Sequence, residues 1–434
     1  MRRECKGPAA IASRVAVALF ALLCLSSTAH AAAPRLGHLA ARRHPTVQLD
    51  WLNPTTWPIV PVPNISVDPT NGATLGIIPT WLQHGHDGDI VRIIAPDAIH
   101  NADFGWGGHV RILDYPSPNT QWSIVAGAKQ RIESNFDALY EIGLLRESRW
   151  SLTTEVDYDR SGTARFFGIS NETPHSHQSV YIDQQQWLQA TLGWNITEAW
   201  QVAYTVLLKK VKVIGGRLPG IVSITSRFPD LRGLGTTHEL LHRISLIYDT
   251  RDDIRMPRRG IELIVYGGIA SRNGSLADPL FSEAGIDARS YWSPTGSLTI
   301  ATHVDLRYMP SVNAAPFWAL SSIGGDHSVL GGQQTLRGFG DARFYGRDSF
   351  SANIEFRQNL FALDTLGTRI TLQIAPFYDT GRVFSHASTF PIGKLHNVVG
   401  IGFRGIAAPF VVGYVDVGVG SEGAAVFTGI NYPF

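Results

Sequence analysis

Four histidines are the first residues in this sequence whose type and spacing could do chemistry. They form two H-x-H pairs, His84 with His86 and His175 with His177. Two such pairs could supply four imidazole nitrogens to a tetrahedral metal ion. No cysteine or closely spaced carboxylate completes the pattern, and histidines in loops are commonly solvated. We therefore predict no metal site and leave the role of these histidines open.

Enzyme motifs give no stronger signal. The sequence contains neither a G-x-x-x-x-G-K-[ST] phosphate loop nor a G-x-S-x-G nucleophile turn. The full chain has a formal net charge of +1, so electrostatics give no reason to expect nucleic acid as a partner. We predict a protein that is not an enzyme and has no cofactor.

A glycine-rich stretch at residues 324–346, GGDHSVLGGQQTLRGFGDARFYG, carries the most distinctive side chains. Its tip reads Leu336-Arg337-Gly338-Phe339. A strand interior tolerates few glycines, and a flexible linker has no need of an arginine between apolar side chains. An arginine surrounded by low-dielectric protein requires carboxylate partners, because an unpaired buried charge is costly. Gly338 is expected to let the tip turn with a positive φ.

The elements that must position this loop are β-strands. In residues 297–308, apolar side chains alternate with polar ones such as His303, Asp305 and Arg307. Charges that recur on one alternate set cannot face a sandwich core, so one face of the sheet must be wet. Sixteen segments are predicted as strands, an even number that suits a bacterial outer-membrane barrel. These segments are 72–82, 104–114, 120–131, 136–147, 149–160, 178–194, 198–212, 237–250, 259–271, 281–293, 296–308, 346–361, 367–380, 395–405, 408–418 and 423–432.

We therefore predict an all-β fold, a transmembrane antiparallel β-barrel of 16 strands over residues 72–434. Long connections such as 83–103 alternate with short ones such as 294–295, which places the long connections outside the cell. The glycine-rich stretch then belongs to a long sixth external loop that folds into the lumen. A final alternating set ends the chain and is expected to face the lipid: Ile430, Tyr432 and Phe434.

The start of the chain has a different composition. Residues 1–31 combine a basic start, an apolar run and an A-x-A pattern, which predicts a secretory signal peptide cleaved after Ala31. Both cysteines, Cys5 and Cys24, lie in this segment. Residues 32–71 are rich in proline and are predicted to form an extended periplasmic segment. The expected location is the outer membrane of a Gram-negative bacterium.

The loop tip resembles that of the BamA/TamA superfamily of outer-membrane assembly and translocation barrels, of the bacterial surface antigen type. In that family a (V/L/I)-R-G-(F/Y) tip on the sixth loop pairs its arginine with acids on the next two strands. The matching stretches here are SANIEFR and FYDTG, which imply Glu355 and Asp379 as partners of Arg337. Both acids also lie on the polar alternate set of their strands. YDTRDDIRMPRRG at 248–260 and RFFGISNETP at 165–174 are similar to two further family motifs.

The resemblance implies a protein that assists the insertion or translocation of polypeptides, using the closure between the first and last strands. Assembly members of the family carry periplasmic POTRA domains, and residues 32–71 leave no room for one. A polypeptide client or a separate periplasmic partner is therefore an open expectation. The alternative is a structural or binding barrel, or a passive pore, without client-insertion activity.

Other expected partners follow from the location. They are the lipid of the outer membrane and the barrel-assembly machinery that inserts the protein itself. Glycine weakens strand pairing, so a closure with several glycines is predicted to be labile. The glycines near the end of the chain are Gly418, Gly420, Gly423 and Gly429.

Overall fold

Eighteen antiparallel strands, rather than sixteen, form a closed ring in the computed structural model. The structure describes residues 59–68, 72–85, 90–272, 274, 279–325, 336–365, 368–385, 393–407, 410–429 and 432. The main sheet in these ranges has twenty strand segments. Two of them, Ile90–Ile94 and Ala98–Asn101, are pieces of one strand, and the two-residue segment Val222–Ser223 belongs to a loop. Eighteen barrel strands therefore lie in the described ranges. The prediction of an all-β barrel is confirmed.

The strands are numbered along the chain, and each pairs with the next, while β1 also meets β18. Their bounds are β1 Val60–Asp68, β2 Gly72–His84, β3 Ile90–Ile94 with Ala98–Asn101, β4 Gly105–Ser117, β5 Thr120–Lys129, β6 Ser134–Ile142, β7 Trp150–Phe166, β8 Ser179–Asn195, β9 Trp200–Gly215, β10 Gly235–Asp249, β11 Gly260–Ser271, β12 Pro279–Trp292, β13 Leu298–Ser311, β14 Asp348–Thr365, β15 Thr368–Phe384, β16 His396–Ala407, β17 Phe410–Gly420 and β18 Gly423–Gly429.

The longer connections contain small elements of their own. A four-residue α-helix, Ile224–Arg227, follows β9, and 3-10 turns cover His175–His177 and Phe317–Ala319. After β13, the short strands Ser321–Ile323 and Phe344–Gly346 pair with each other. No helix in the described ranges has both the length and the apolar character needed to cross a membrane.

Two strands explain why the predicted count was too low. All sixteen predicted segments contain a strand, but β1 and β3 lie in stretches for which the sequence predicts an extended proline-rich segment and an external loop. Pro61 and Pro63 are unusual in a strand, although alternate prolines remove donors from one strand edge only. That allows β1 to pair with β2 along its whole length, from Val60↔Thr80 to Asp68↔Gly72. β3 was missed because it is broken into pieces of five and four residues.

The extra strands reverse the direction assigned to β2. We call the rim at which β7 ends the upper rim and the opposite one the lower rim. Because β3 intervenes, β2 ends and β3 begins at the lower rim. His84 therefore lies at the opposite end of the barrel from His175 and His177, and the prediction that 83–103 is an external connection is wrong. His86 lies outside the described residues.

The loop between β13 and β14, residues 312–347, is the seventh connection at the upper rim rather than the sixth, for the same reason. We call it the long loop. Its part from 326 to 335 lies outside the described residues.

The sheet has the two opposite faces that a membrane barrel requires. Outward side chains are apolar and exposed, such as Ile244 at 62% and Trp292 at 61%. Inward positions on the same strands carry buried polar groups, such as Asp287 and His303. A soluble protein has the reverse arrangement, whereas a transmembrane barrel turns its apolar face to lipid. The alternating pattern in the sequence therefore specified both faces.

Candidate functional site: a loop anchored inside the barrel

Arg337 at the tip of the long loop is buried inside the barrel, with 1% of its side chain exposed. Its Nε and Nη2 atoms donate to the two oxygens of Asp379 on β15, at 2.9 and 2.8 Å. This is the planar two-pronged geometry that an arginine makes with a carboxylate. The Arg337 backbone N–H also donates to Asp379, at 3.1 Å. The side chain and the backbone of the tip thus share one anchor.

The remaining donor of Arg337, Nη1, contacts two further carboxylates. It donates to Glu355 on β14 and, at 2.8 Å, to Asp416 on β17. The guanidinium also lies over the ring of Phe377, 3.6 Å from its centre. The structure therefore brings Arg337, Glu355 and Asp379 together and adds Asp416, which sequence reasoning missed. The signal was present, because Asp416 is a lone charge at an inward alternate position of the run YVDVG.

Two more arginines compensate the carboxylates. Arg404 on β16 donates to both oxygens of Glu355, at 3.0 and 2.8 Å, and lies 3.5 Å from Asp416. Arg357 donates to Glu355 at 2.8 Å. We call the resulting group of three arginines and three acids the lumen charge cluster: Arg337, Arg357, Arg404, Glu355, Asp379 and Asp416. Equal numbers of opposite charges with direct hydrogen bonds reduce the cost of burying them.

Apolar side chains of the loop tip complete the anchor. Leu336 and Phe339 are fully buried in a cluster with Phe377 and Val398, which lie on β15 and β16. Gly338 does not have the positive φ that was expected. It is required for space, because a Cβ there would lie 2.8 Å from the backbone nitrogen of Gly420 and from Val398.

Two glycines of β17 form the seat beneath the tip. A Cβ at Gly418 would collide with the carbonyl oxygen of Arg337, and one at Gly420 would lie 2.9 Å from the Phe339 ring. The sequence predicts that these glycines weaken the strand pairing near the closure. The structure gives them a different role, since they let the loop tip lie directly on the wall.

A second arginine of the long loop forms an anchor near the upper rim. Arg343 donates to both oxygens of Glu422, at 2.6 to 2.9 Å, in the turn between β17 and β18. It also donates to the hydroxyl and carbonyl oxygens of Thr173, at 3.0 and 2.7 Å. Its guanidinium packs on Phe167, 3.9 Å from the ring centre. The stretch 165–174 is thus a dock for the long loop.

The same stretch also contacts the next connection at the upper rim. Asn171 accepts from the backbone of Val383 and donates to the carbonyl of Lys394. The exposed Lys394 ammonium donates to Glu172 at 2.8 Å, and this hydrogen bond lowers the pKa of the Glu172 carboxyl. Together with the contacts of Arg343, these bonds join four connections at one side of the rim: β7–β8, the long loop, β15–β16 and β17–β18.

The opposite wall of the lumen has an unbalanced charge. Inward positions of β6 to β8 carry five partly or largely buried acids: Asp137, Glu155, Asp157, Asp159 and Asp183. Asp137 and Asp157 are directly paired across β6 and β7. Within the described ranges no salt bridge to an arginine or lysine engages Asp137, Glu155 or Asp157.

The end of the chain differs from expectation. The hydroxyl of Tyr432 donates to Gln373 at 3.3 Å, and its ring lies 4.1 Å from the Arg357 guanidinium. Both partners face inward, so Tyr432 does not face lipid and its predicted orientation is wrong. Ile430 and Phe434 lie outside the described residues.

A zinc-enzyme pattern that sequence reasoning overlooked also occurs, as HELLH at residues 238–242. In a zinc protease this motif needs a helix, which brings both histidines to one face within one turn. Here it lies in β10, where His238 and His242 are about 13 Å apart along the strand. Glu239 points to the opposite face, and the His242 ring contacts Tyr204 at 2.7 Å. The described part of the chain contains no cluster of three or more metal-binding side chains.

Comparison with known proteins agrees with this architecture. The sequence profile of the Omp85 superfamily domain matches residues 119–410. The crystal structure of BamA from Haemophilus ducreyi lacking POTRA domains 1–3 is 12% identical, covers 82% of this chain and 75% of its own, and has a TM-score of 0.51. No curated protein matches the sequence.

Two further solved barrels are similar. CdiB from Acinetobacter baumannii is 13% identical over 82% of this chain and 65% of its own, with a TM-score of 0.48. CdiB from Escherichia coli is 13% identical over 86% of this chain and 63% of its own, with a TM-score of 0.43. At these identities the solved structures inform the fold alone.

Proposed function

Because this chain belongs to the Omp85 superfamily of outer-membrane barrels, we propose that it assists the insertion or translocation of polypeptides at the bacterial outer membrane. Omp85 barrels are transporters and insertases rather than enzymes. The activity proposed here is exerted at the closure between β1 and β18, with a polypeptide as the client and a periplasmic protein as a further partner.

This proposal rests on the small number of paired positions at that closure. Between β1 and β18 the described residues have one paired position, Val67↔Val426. By contrast, β9 and β10 pair continuously from Trp200↔Tyr248 to Val213↔Gly235. Each paired position contributes backbone hydrogen bonds and side-chain contacts, so among the strand pairs of the described residues we expect this closure to separate at the lowest cost.

β1 also contains two residues, Pro61 and Pro63, that lack an N–H donor for a neighbouring strand. It nevertheless pairs with β2 along its whole length. Farther along, the Thr428 hydroxyl meets the Asn64 side-chain oxygen at 3.3 Å, so the contact at the lower part is made by side chains.

A disulfide across the closure tests the proposal. The double variant Val67→Cys and Val426→Cys should crosslink, and in a strain that depends on this protein it should lower the level of client proteins in the outer membrane. Reduction of the disulfide should restore them. A matched pair across a continuous ladder, Ile124→Cys with Ala138→Cys, should have no effect. Depletion of the whole protein followed by outer-membrane proteomics identifies the clients.

The alternative function is a structural or binding barrel, or a passive pore. The lumen charge cluster favours this alternative, because the cluster holds the long loop inside the barrel and the loop fills one side of the lumen. An unchanged outer-membrane proteome after depletion would support this alternative. Full client insertion with the closure crosslinked would instead exclude opening of the closure and leave the insertion function standing.

We also infer the topology and the processing of the chain. The upper rim faces the cell exterior, residues 1–31 are removed as a signal peptide, and residues before β1 lie in the periplasm. A tag at Gly220, in an exposed upper-rim loop, should be detected on intact cells, whereas one between Pro294 and Thr295 should not. Detection of the second tag alone would invert the barrel. The purified protein should begin at Ala32.

A further inference from the structure

The outer surface of β7 to β10 contains a groove near the upper rim, with a volume of about 820 Å³. We propose that it binds a phosphorylated lipid of the surrounding leaflet, with the phosphates on its basic end and the acyl chains on its apolar end. The outward side chains that decide the chemistry are Leu188, Leu208, Tyr158, Lys210, His238 and Arg272.

The strand register orders these side chains into rows that change from apolar to basic. Four aliphatic side chains form one row: Val156, Leu188, Leu208 and Leu240. The next row toward the rim is amphipathic: Tyr158, Gln186, Lys210 and His238. The third row carries two more cations: Arg160, Gln184, Lys212 and Thr236. The outer surface at the groove therefore changes from apolar to charged within four residues along each strand.

The cations at the groove are available for an external anion. Lys210, Lys212 and Arg272 are exposed, and no ion pair within the described residues engages them. The two acids that line the groove, Asp157 and Glu239, occupy the alternate positions that point to the lumen. Within the described residues, the positive charge on the outer surface at the groove is thus not neutralised.

Another part of the rim shows that such a cation group is not a general feature of the barrel. Near the upper ends of β15 and β16, outward polar side chains are neutral and satisfy one another. Tyr378 and Thr380 both donate to Asn397, each at 2.8 Å. The unneutralised cations over β9 and β11 are therefore not repeated over β15 and β16.

Charge and position together select the occupant. Cations placed just beyond a membrane-facing apolar band lie at the depth of lipid phosphates, which attract them. An arginine binds phosphate through two parallel hydrogen bonds, and lysines add point charges. The aliphatic row below provides a surface for acyl chains. A water-soluble anion would gain nothing from that row, so the groove fits a phosphorylated lipid better than a free phosphate.

Native mass spectrometry of the detergent-solubilised protein with diphosphoryl lipid A tests the proposal. Each cation near a membrane surface contributes roughly fivefold in affinity. The variant Lys210→Gln with Arg272→Gln should therefore bind this lipid about 25-fold more weakly. The matched control removes two exposed arginines from the lower rim, Arg149→Gln with Arg369→Gln, and should bind as the wild type does.

Further measurements distinguish binding of the whole lipid from binding of its phosphate groups alone. Leu208→Ser should weaken lipid A binding, and dephosphorylated lipid A should bind less tightly than the diphosphoryl form. Each variant must keep the folded, fast-migrating form on an unheated gel. Equal loss in the lower-rim control, retained binding in the variant lacking Lys210 and Arg272, or inorganic phosphate binding as tightly as the lipid would overturn the proposal.

Discussion

The buried acids on the two walls of the lumen have opposite surroundings: arginines on one wall and other acids on the other. On the wall formed by β14 to β17, the acids Glu355, Asp379 and Asp416 each contact an arginine, and the long loop lies on them. On the wall formed by β6 to β8, acids face one another, and Asp137 is paired directly with Asp157. The difference shows that the loop contributes part of the wall that it covers, because Arg337 supplies charge that the strands lack.

Charge removal should therefore have opposite signs on the two walls. A paired buried charge leaves an uncompensated partner when it is deleted, which is destabilising. A charge that faces a like charge relieves repulsion when it is deleted. Four substitutions follow, from the largest expected effect to the smallest: three remove a charge, and one tests the packing of the loop tip.

Arg337→Ala should have the largest effect. It leaves three buried carboxylates short of one cation, and removal of one partner from such a group costs about 3–5 kcal/mol. The long loop should detach and become sensitive to protease, and the folded form should be lost at a lower temperature on a heated gel. Arg217→Ala, an exposed arginine on another upper-rim loop, is the control and should change neither property.

Related variants sharpen this first prediction. Arg337→Lys should rescue poorly, because one ammonium cannot reproduce a fork that serves three carboxylates. Asp379→Asn should be milder than Arg337→Ala, since Arg337 keeps Glu355 and Asp416. Asp379→Asn combined with Arg337→Ala should add little. Unchanged protease resistance in Arg337→Ala would show that the apolar tip alone holds the loop.

Arg343→Ala should have the second largest effect. Its partner Glu422 is near the rim and is 16% exposed, so water replaces part of the lost interaction. Hydrogen bonds to charged groups contribute about 1.5–3 kcal/mol. Limited proteolysis should show cleavage after the Arg343 region opens while the tip at Arg337 stays protected. Cleavage at the tip as well would show that the two anchors release together.

Gly338→Ala tests packing without changing charge. The added methyl would approach the Gly420 backbone and Val398 closely, and such overpacking costs about 1–3 kcal/mol. The temperature of unfolding should fall, whereas the same change at Gly296, where nothing lies near a Cβ, should leave it unchanged. A neutral result at Gly338 would mean that the seat on β17 adjusts freely.

Asp157→Asn should have the smallest effect and the opposite sign. Like charges directly opposite on neighbouring strands are unfavourable by about 0.2–1 kcal/mol, and this substitution removes one of them. The unfolding temperature should therefore rise slightly. Asp379→Asn is the matched change on the other wall and should lower it. A fall for both variants would remove the distinction between the walls.

Sequence patterns predicted most of the barrel strands and the side chains that face inward. Alternation located sixteen of the strands and put Glu355 and Asp379 on the inward face, and the family resemblance linked them to Arg337. Local patterns did not predict β1, because its prolines are unusual in a strand, or β3, because a break divides it into two short pieces. They also missed Asp416 and Arg404, because nothing in a single strand reveals which side chains a distant loop will meet.

The seat of the loop has a mechanical consequence. Gly418 and Gly420 carry the tip, Glu422 holds Arg343, and the next strand, β18, provides one edge of the closure. The long loop therefore rests on the hairpin that carries one edge of the closure. Any change that detachment of the loop makes in the free energy of pairing β1 with β18 equals the change that separation of β1 from β18 makes in the free energy of seating the loop, since coupling free energies are reciprocal.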